Sequence, residues 1–128
     1  EALLQSNLYF KTTVIRFGGL LGDDRHPIKF LAGRTNLEHP DAPVNLIHQE
    51  DCIGIIEAIL KQVQQDNWGE IFNAVAPQHP TRKAYYQNKA LIYNLPLPTF
   101  DEESESKGKF ILNKKVETLL GYSFKREI

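Results

Sequence analysis

Tyr85 and Lys89 stand four residues apart in TRKAYYQNKALIYN, one turn apart if that segment is helical. At such a spacing an ammonium can lower the pKa of a phenol and ready it for proton transfer. A second set of polar side chains, Arg25, His26, Arg34 and His39, falls in a long turn-rich stretch and favours anionic or polar ligands. Asn45 and His48 flank the apolar pair in VNLIH, and Arg16, Phe17, Gly18 and Gly19 run together in TTVIRFGGLLG. Other reactive types read as structure. Cys52 lies on the apolar face of a helix and is a small buried hydrophobe rather than a nucleophile. Asp101, Glu102, Glu103 and Glu105 form an acidic run that reads as a solvated, mobile loop and not as a metal site.

These residues need elements to position them. Thr12 to Phe17 is a near-continuous apolar run of the kind that buried parallel strands show. Gly18 and Gly19 end it, and ligands of open α/β sheets sit at the carboxyl ends of strands. Glu1 to about Ser6 reads as the tail of a helix with no capping residue before it, which predicts a chain cut from something longer. Pro27 opens a short helix over Ile28 to Leu31. Val44 to His48 is a strand, with Val44, Leu46 and His48 on one face. Asp51 is the expected N-cap of the next helix, whose apolar face carries Cys52, Ile55, Ile56, Ile59, Leu60 and Val63. After a polar turn at Gln64 to Gly69, Glu70 to Ala76 is a strand. Thr81 caps a helix over Arg82 to Tyr93, and Lys109 to Leu112 is a brief strand. Asn113 caps a last helix that Gly121 stops. Strands and helices alternate, so the expected class is α/β. Its expected core is Val14, Ile15, Leu46, Ile55, Ile56, Ile59, Ile71 and Val75. So small a sheet leaves its edges bare, a second sign of an absent half.

The totals exclude several functions. The 128 residues fit one domain with a modest core. With 15 basic and 16 acidic residues there is no excess charge for a nucleic-acid surface. No apolar run approaches a membrane span, and no signal peptide opens the chain. One cysteine rules out an internal disulfide and suits a reducing cytoplasm. Oligomeric state is left open.

In this order the segments TVIRFGGLLGDDRHP, VNLIHQEDCIGIIEAIL, GEIFNAVAPQHPTRKAYYQNKALIYNLPLP and NKKVETLLGY resemble the C-terminal part of the extended short-chain dehydrogenase/reductases. These form the NAD-dependent epimerase/dehydratase family. The resemblance implies a Rossmann-type α/β fold, incomplete without its N-terminal half, with residues 1–128 as the substrate-side portion. It implies NAD or NADP as cofactor of the full-length parent and none for this chain alone. The family's glycine-rich phosphate loop does not occur here, and its catalytic Tyr-x-x-x-Lys pair would fall upstream of Glu1, leaving no catalytic residue in this chain. Tyr85 and Lys89 come after VNLIH, out of the family's order, and are declined as that pair. Phe17, Gly18 and Gly19 would pass the nicotinamide end of the cofactor. Arg25, His26, Arg34, Asn45 and His48 would face a small polar or sugar-like substrate. The expected partners are that substrate and the other half of the same protein. The expected activity is that of an epimerase, dehydratase or oxidoreductase, inactive in this portion alone. The alternative is a non-catalytic NAD(P)-binding sensor on the same fold.

Overall fold

The computed structural model describes residues 1–62 and 69–128, so the turn expected at Gln64 to Gly69 and the place of Val63 fall largely outside the described residues. The chain divides into two units, Glu1–Leu20 with Leu46–Pro77 and Ile111–Ile128, and Leu21–Asn45 with Gln78–Phe110.

In the first unit the β-branched run after Lys11 becomes strand β1 (Val14–Phe17), preceded by the short helix α1 (Ala2–Gln5). β1 ends before Gly18, as expected, but only Gly18 stands outside a strand. After Gly18 the chain resumes as β2 (Gly19–Leu21), which pairs with β3 (Leu46–His48). β1 pairs in parallel with β4 (Ile71–Ala74), in the register Val14↔Ile71, Ile15↔Phe72, Arg16↔Asn73 and Phe17↔Ala74. Because strand side chains alternate, Phe72 and Ala74 face one way and Ile71 and Asn73 the other. Phe72 and Ala74 are sealed in a core with Ile47, Cys52, Ile55, Ile59, Val116 and Leu120. Those residues come from β3, from helix α3 (Gln49–Lys61), from helix α5 (Lys114–Thr118) and from the turn after it.

The expected core is right in part. Leu46, Ile55, Ile59 and Val75 are buried, and Val14, Ile15 and Ile71 are half-buried. Ile56 is the correction, at 40% exposed. Cys52, Ile55 and Ile59 recur at helical spacing and point inward, while Ile56 sits one residue, about 100°, round the helix. With Thr13, Ile15, Ile59 and Leu60 it lines a shallow apolar hollow of about 170 Å³.

The expected cap is also corrected. α3 starts at Gln49, because His48 is its N-cap and His48 Nδ1 accepts from the Glu50 N–H at 3.1 Å. Asp51 then lies inside the first turn, fully buried. Its carboxylate accepts from the Tyr122 hydroxyl at 2.6 Å and from the backbone N–H groups of Lys125 and Arg126 at 2.8 and 3.1 Å. Lys109 to Leu112 forms no strand. Asn113 precedes α5 without a side-chain cap bond, its amide donating instead to the Val75 carbonyl at 2.9 Å.

In the second unit Pro27 opens α2 (Ile28–Leu31), and Thr81 caps α4 (Arg82–Ile92), its Oγ1 accepting from the Ala84 N–H at 3.2 Å. The two sequence halves of this unit are zipped by backbone bonds. Leu37 bridges Phe100, Pro43 bridges Thr81, and the Arg82 and Lys83 N–H groups donate to the Ala42 and Pro40 carbonyls. The acidic segment expected to be mobile is tied down. The His39 and Asp41 N–H groups donate to Ser104 Oγ and Ser106 Oγ, Lys83 pairs with Glu102, and Asp101 Oδ1 takes the Glu103 N–H. Among the described residues no helix is long and apolar enough to cross a membrane, and no cluster of three metal-ligating side chains occurs.

Candidate functional site

At the carboxyl end of β1 the chain presents Phe17 at 43% exposed. The Gly18 N–H that follows bonds to the Ala74 carbonyl at 3.0 Å, which carries the β1–β4 ladder one residue past the strand. Gly19 is exposed. On the sheet face away from the core, Arg16, Ile71 and Asn73 line a groove of about 290 Å³ with Leu112, Lys114 and Lys115. Two of its cations are spoken for, since Arg16 pairs with Glu1 and Lys115 with Glu70. Arg16 thus holds the end of β1 by ion pairing.

The second unit carries the polar residues singled out in the sequence. A tight turn, with reciprocal backbone bonds between Gly22 and Arg25, leaves the Arg25 side chain exposed. Arg34 is exposed beyond the end of α2, with its carbonyl taking the Thr99 N–H. Among the described residues neither guanidinium has a carboxylate partner. Asn45 is half-buried, and its amide donates to the Lys109 carbonyl at 2.8 Å.

His26 behaves differently from a loop residue open to ligand. It is 6% exposed. Its Nδ1 accepts from the Ile28 N–H at 3.1 Å, so the proton sits on Nε2, which donates to the Tyr85 hydroxyl at 2.9 Å. The ring stacks on Tyr85, with centroids 5.7 Å apart, and tilts against Tyr93. Burial, reinforced by Lys89 and Lys29, pushes its pKa down to about 4. His26 therefore stays neutral and acts by positioning. His48, at the end of β3, is likewise buried and spends Nδ1 on its helix cap.

Tyr85 and Lys89 do meet, but not as an acid/base pair. The ammonium lies 5.5 Å from the centre of the Tyr85 ring rather than on its hydroxyl. Burial drives the phenol pKa up, opposite to what proton transfer near neutrality requires. One turn earlier, Arg82 repeats the arrangement over Tyr86, with its guanidinium carbon 5.5 Å from the ring centre. Tyr85 and Tyr86 pack edge to face, 5.1 Å apart. The result is a ladder of rings from His26 through Tyr85 to Tyr86, with one cation over each tyrosine. Sequence reasoning placed Arg82 and Tyr86 on a helix but did not pair them. The signal that could have found them was the second Arg-x-x-x-Tyr spacing beside Tyr-x-x-x-Lys.

No family model matches the sequence. Protein YeeZ of Escherichia coli K12 is 39% identical over 114 residues, which is 87% of this chain and 39% of YeeZ. The structure of UDP-glucuronic acid 4-epimerase from Bacillus cereus, in complex with UDP-glucuronic acid and NAD, superposes with a TM-score of 0.71. It is 17% identical and covers 98% of this chain and 44% of that one. DesIV, a dTDP-glucose 4,6-dehydratase from Streptomyces venezuelae with NAD and TYD bound, gives a TM-score of 0.73 at 14% identity, over 98% and 42%. The fold is α/β, a portion of a Rossmann-type fold. The chain spans less than half the length of the proteins it matches.

Proposed function

We propose that this chain is the C-terminal, substrate-side portion of a longer NAD(P)-dependent epimerase, dehydratase or oxidoreductase that acts on a small polar or sugar-like substrate. The observation that carries the reading is the likeness of nearly the whole chain to two NAD-bound sugar-nucleotide enzymes, each about twice as long. The β1 end supports it. Phe17, Gly18 and Gly19 fit the nicotinamide end of a dinucleotide, since an exposed ring and side-chain-free backbone admit a planar group closely. When bound, NAD(P) supplies hydride transfer. The chain's own residues would do the rest of what a substrate-side wall does. Arg25 and Arg34 offer guanidiniums that have no acid partner among the described residues to an anionic or polar substrate. His26 fixes Tyr85, Asn45 tethers the strand entry to the Lys109 carbonyl, and His48 sets where α3 begins. The proton-transfer pair and the pyrophosphate-binding turn would come from the other half, the partner this reading requires. A reducing, cytoplasmic setting accords with a single, free and buried cysteine.

The test is calorimetric titration, with NAD and NADP, of the longer protein that contains this chain and the residues encoded before it. Saturable binding of one of the two is expected, weakened when Phe17 is replaced by Ala. A longer protein that binds neither nucleotide would sink the proposal. One that binds but turns over no sugar nucleotide would favour the sensor.

A further inference from the structure

We propose that the free edge of β1, with the apolar hollow beside it, receives the portion of the protein encoded before Glu1: that portion adds a strand parallel to β1 and fills the hollow with an apolar side chain. Among the described residues β1 has β4 as its one neighbour. The Val14 and Gly18 N–H groups donate to the Glu70 and Ala74 carbonyls, each at 3.0 Å. Backbone groups alternate in direction along a strand, so Arg16 also turns to β4, while Ile15 and Phe17 turn to the other side. No partner among the described residues meets their N–H groups there. Ile15 is half-buried, and a backbone donor partly withdrawn from water is unfavourable unless bonded.

The hollow opens on that same side. Thr13, Ile15, Ile56, Ile59 and Leu60 line it, and no residue of β4 is among them. Its volume of about 170 Å³ takes a large apolar side chain, and Ile56 and Leu60 stand 40% and 58% exposed at its rim. An open edge flanked by uncovered aliphatic groups is a template for a further strand. A parallel sheet of two strands is also too small to be stable by itself.

Helix α1 gives the added strand its direction and its source. Glu1 pairs with Arg16, in the carboxyl half of β1. The Thr12 hydroxyl donates to the Leu4 carbonyl, and the Gln5 amide donates to the carbonyl of Gly69, whose N–H bonds to Thr13 Oγ1. α1 therefore runs back along β1, from its carboxyl half to its start. Chain entering α1 arrives near the carboxyl end of β1. A strand joined to α1 by a short connection must end there too, and so runs parallel to β1. The proteins matched above are more than twice as long as this chain, which leaves ample polypeptide for it.

The inference rests on the functional reading above, which supplies the longer protein. Its test uses no nucleotide, so docking and cofactor binding can fail separately. Amide hydrogen exchange is followed by residue in the longer protein, at two concentrations, with Val14 and Arg16 as internal controls. The Ile15 amide is expected to exchange as slowly as its two neighbours, on the order of a hundredfold or more below unfolded backbone. Free exchange of Ile15 between two protected neighbours would overturn the proposal. So would protection that fades on dilution, the mark of a second copy at the edge. Ile56→Lys should lower the urea midpoint of the longer protein and leave that of the 128-residue chain nearly unchanged, since here the position is open to water. A lysine tolerated equally in both would show that the hollow is not filled and would sink the proposal.

Discussion

His26 shows how one residue's surroundings set a measurable property of the whole chain. Unfolded, its imidazole titrates near 6.5, whereas in the fold it titrates near 4, because burial and then Lys89 and Lys29 disfavour the imidazolium. Between those values the unfolded chain binds the proton and the folded chain does not. Stability therefore rises with pH across that window. The contribution is fully present above 6.5 and is lost as the pH falls to about 4, and it amounts to about 3 kcal/mol at most. The urea midpoint of the wild-type chain should fall steeply between pH 7 and pH 4.5, and the fall should be shallower in His26→Phe, which keeps the stacked ring and has nothing to titrate. Equal slopes for the two proteins would show that His26 is not buried neutral. In the sequence His26 was legible only as a polar residue in a turn-rich stretch. Its partners, Tyr85 and Tyr93, lie some sixty residues away, and no local pattern joins them.

At the scale of elements, the helices were legible and their ends were less so. The 3.6-residue recurrence through Cys52, Ile55 and Ile59 locates α3, and Thr81 marks the start of α4, because both signals are local. Asp51 looked like a cap because carboxylates at helix starts usually are. Its real partners are tertiary: a hydroxyl and two N–H groups from the C-terminal segment. That clasp explains a glycine inside the helix. A Cβ on Gly54 would stand 2.4 Å from the Tyr122 hydroxyl oxygen and 2.9 Å from the ring carbon that bears it. In an ordinary helix Gly→Ala is favourable by about 1 kcal/mol. Here Gly54→Ala should destabilise, because Tyr122 must move and Asp51 loses a donor. In a Tyr122→Ala background the same change should turn stabilising. Denaturant titration of the four proteins reads the sign reversal directly, and a Gly54→Ala effect of one sign in both backgrounds would mean that Tyr122 does not pack across the helix.

At the scale of the molecule, the alternation of strands and helices was readable because most elements carry their own period, and the α/β class is what the fold comparisons bear out, although β2 was missed and the strand expected at Lys109 to Leu112 does not form. The loop that pins the acidic segment was not readable, since serine hydroxyls at 104 and 106 reaching back to residues 39 and 41 leave no periodic trace. The same reasoning sets an expectation for the chain by itself: it should neither bind NAD(P) tightly nor turn it over. Dinucleotide affinity comes largely from a pyrophosphate held at a glycine-rich turn opening a helix, and the sequence has no such turn. Proton transfer needs a group tuned near the working pH. Tyr85, the phenol with a lysine one turn on, is buried, hydrogen-bonded to His26 and shifted the wrong way. What the β1 end offers is a ring and two glycines, which can line a cofactor but not enclose it, and small-molecule sites depend on enclosure. Calorimetric titration of the 128-residue chain with NAD and NADP should therefore show no saturable binding in the micromolar range. Micromolar binding that Tyr85→Phe or Lys89→Ala abolishes would overturn both the reading of the chain as one wall of a larger site and the assignment of Tyr85 to structure.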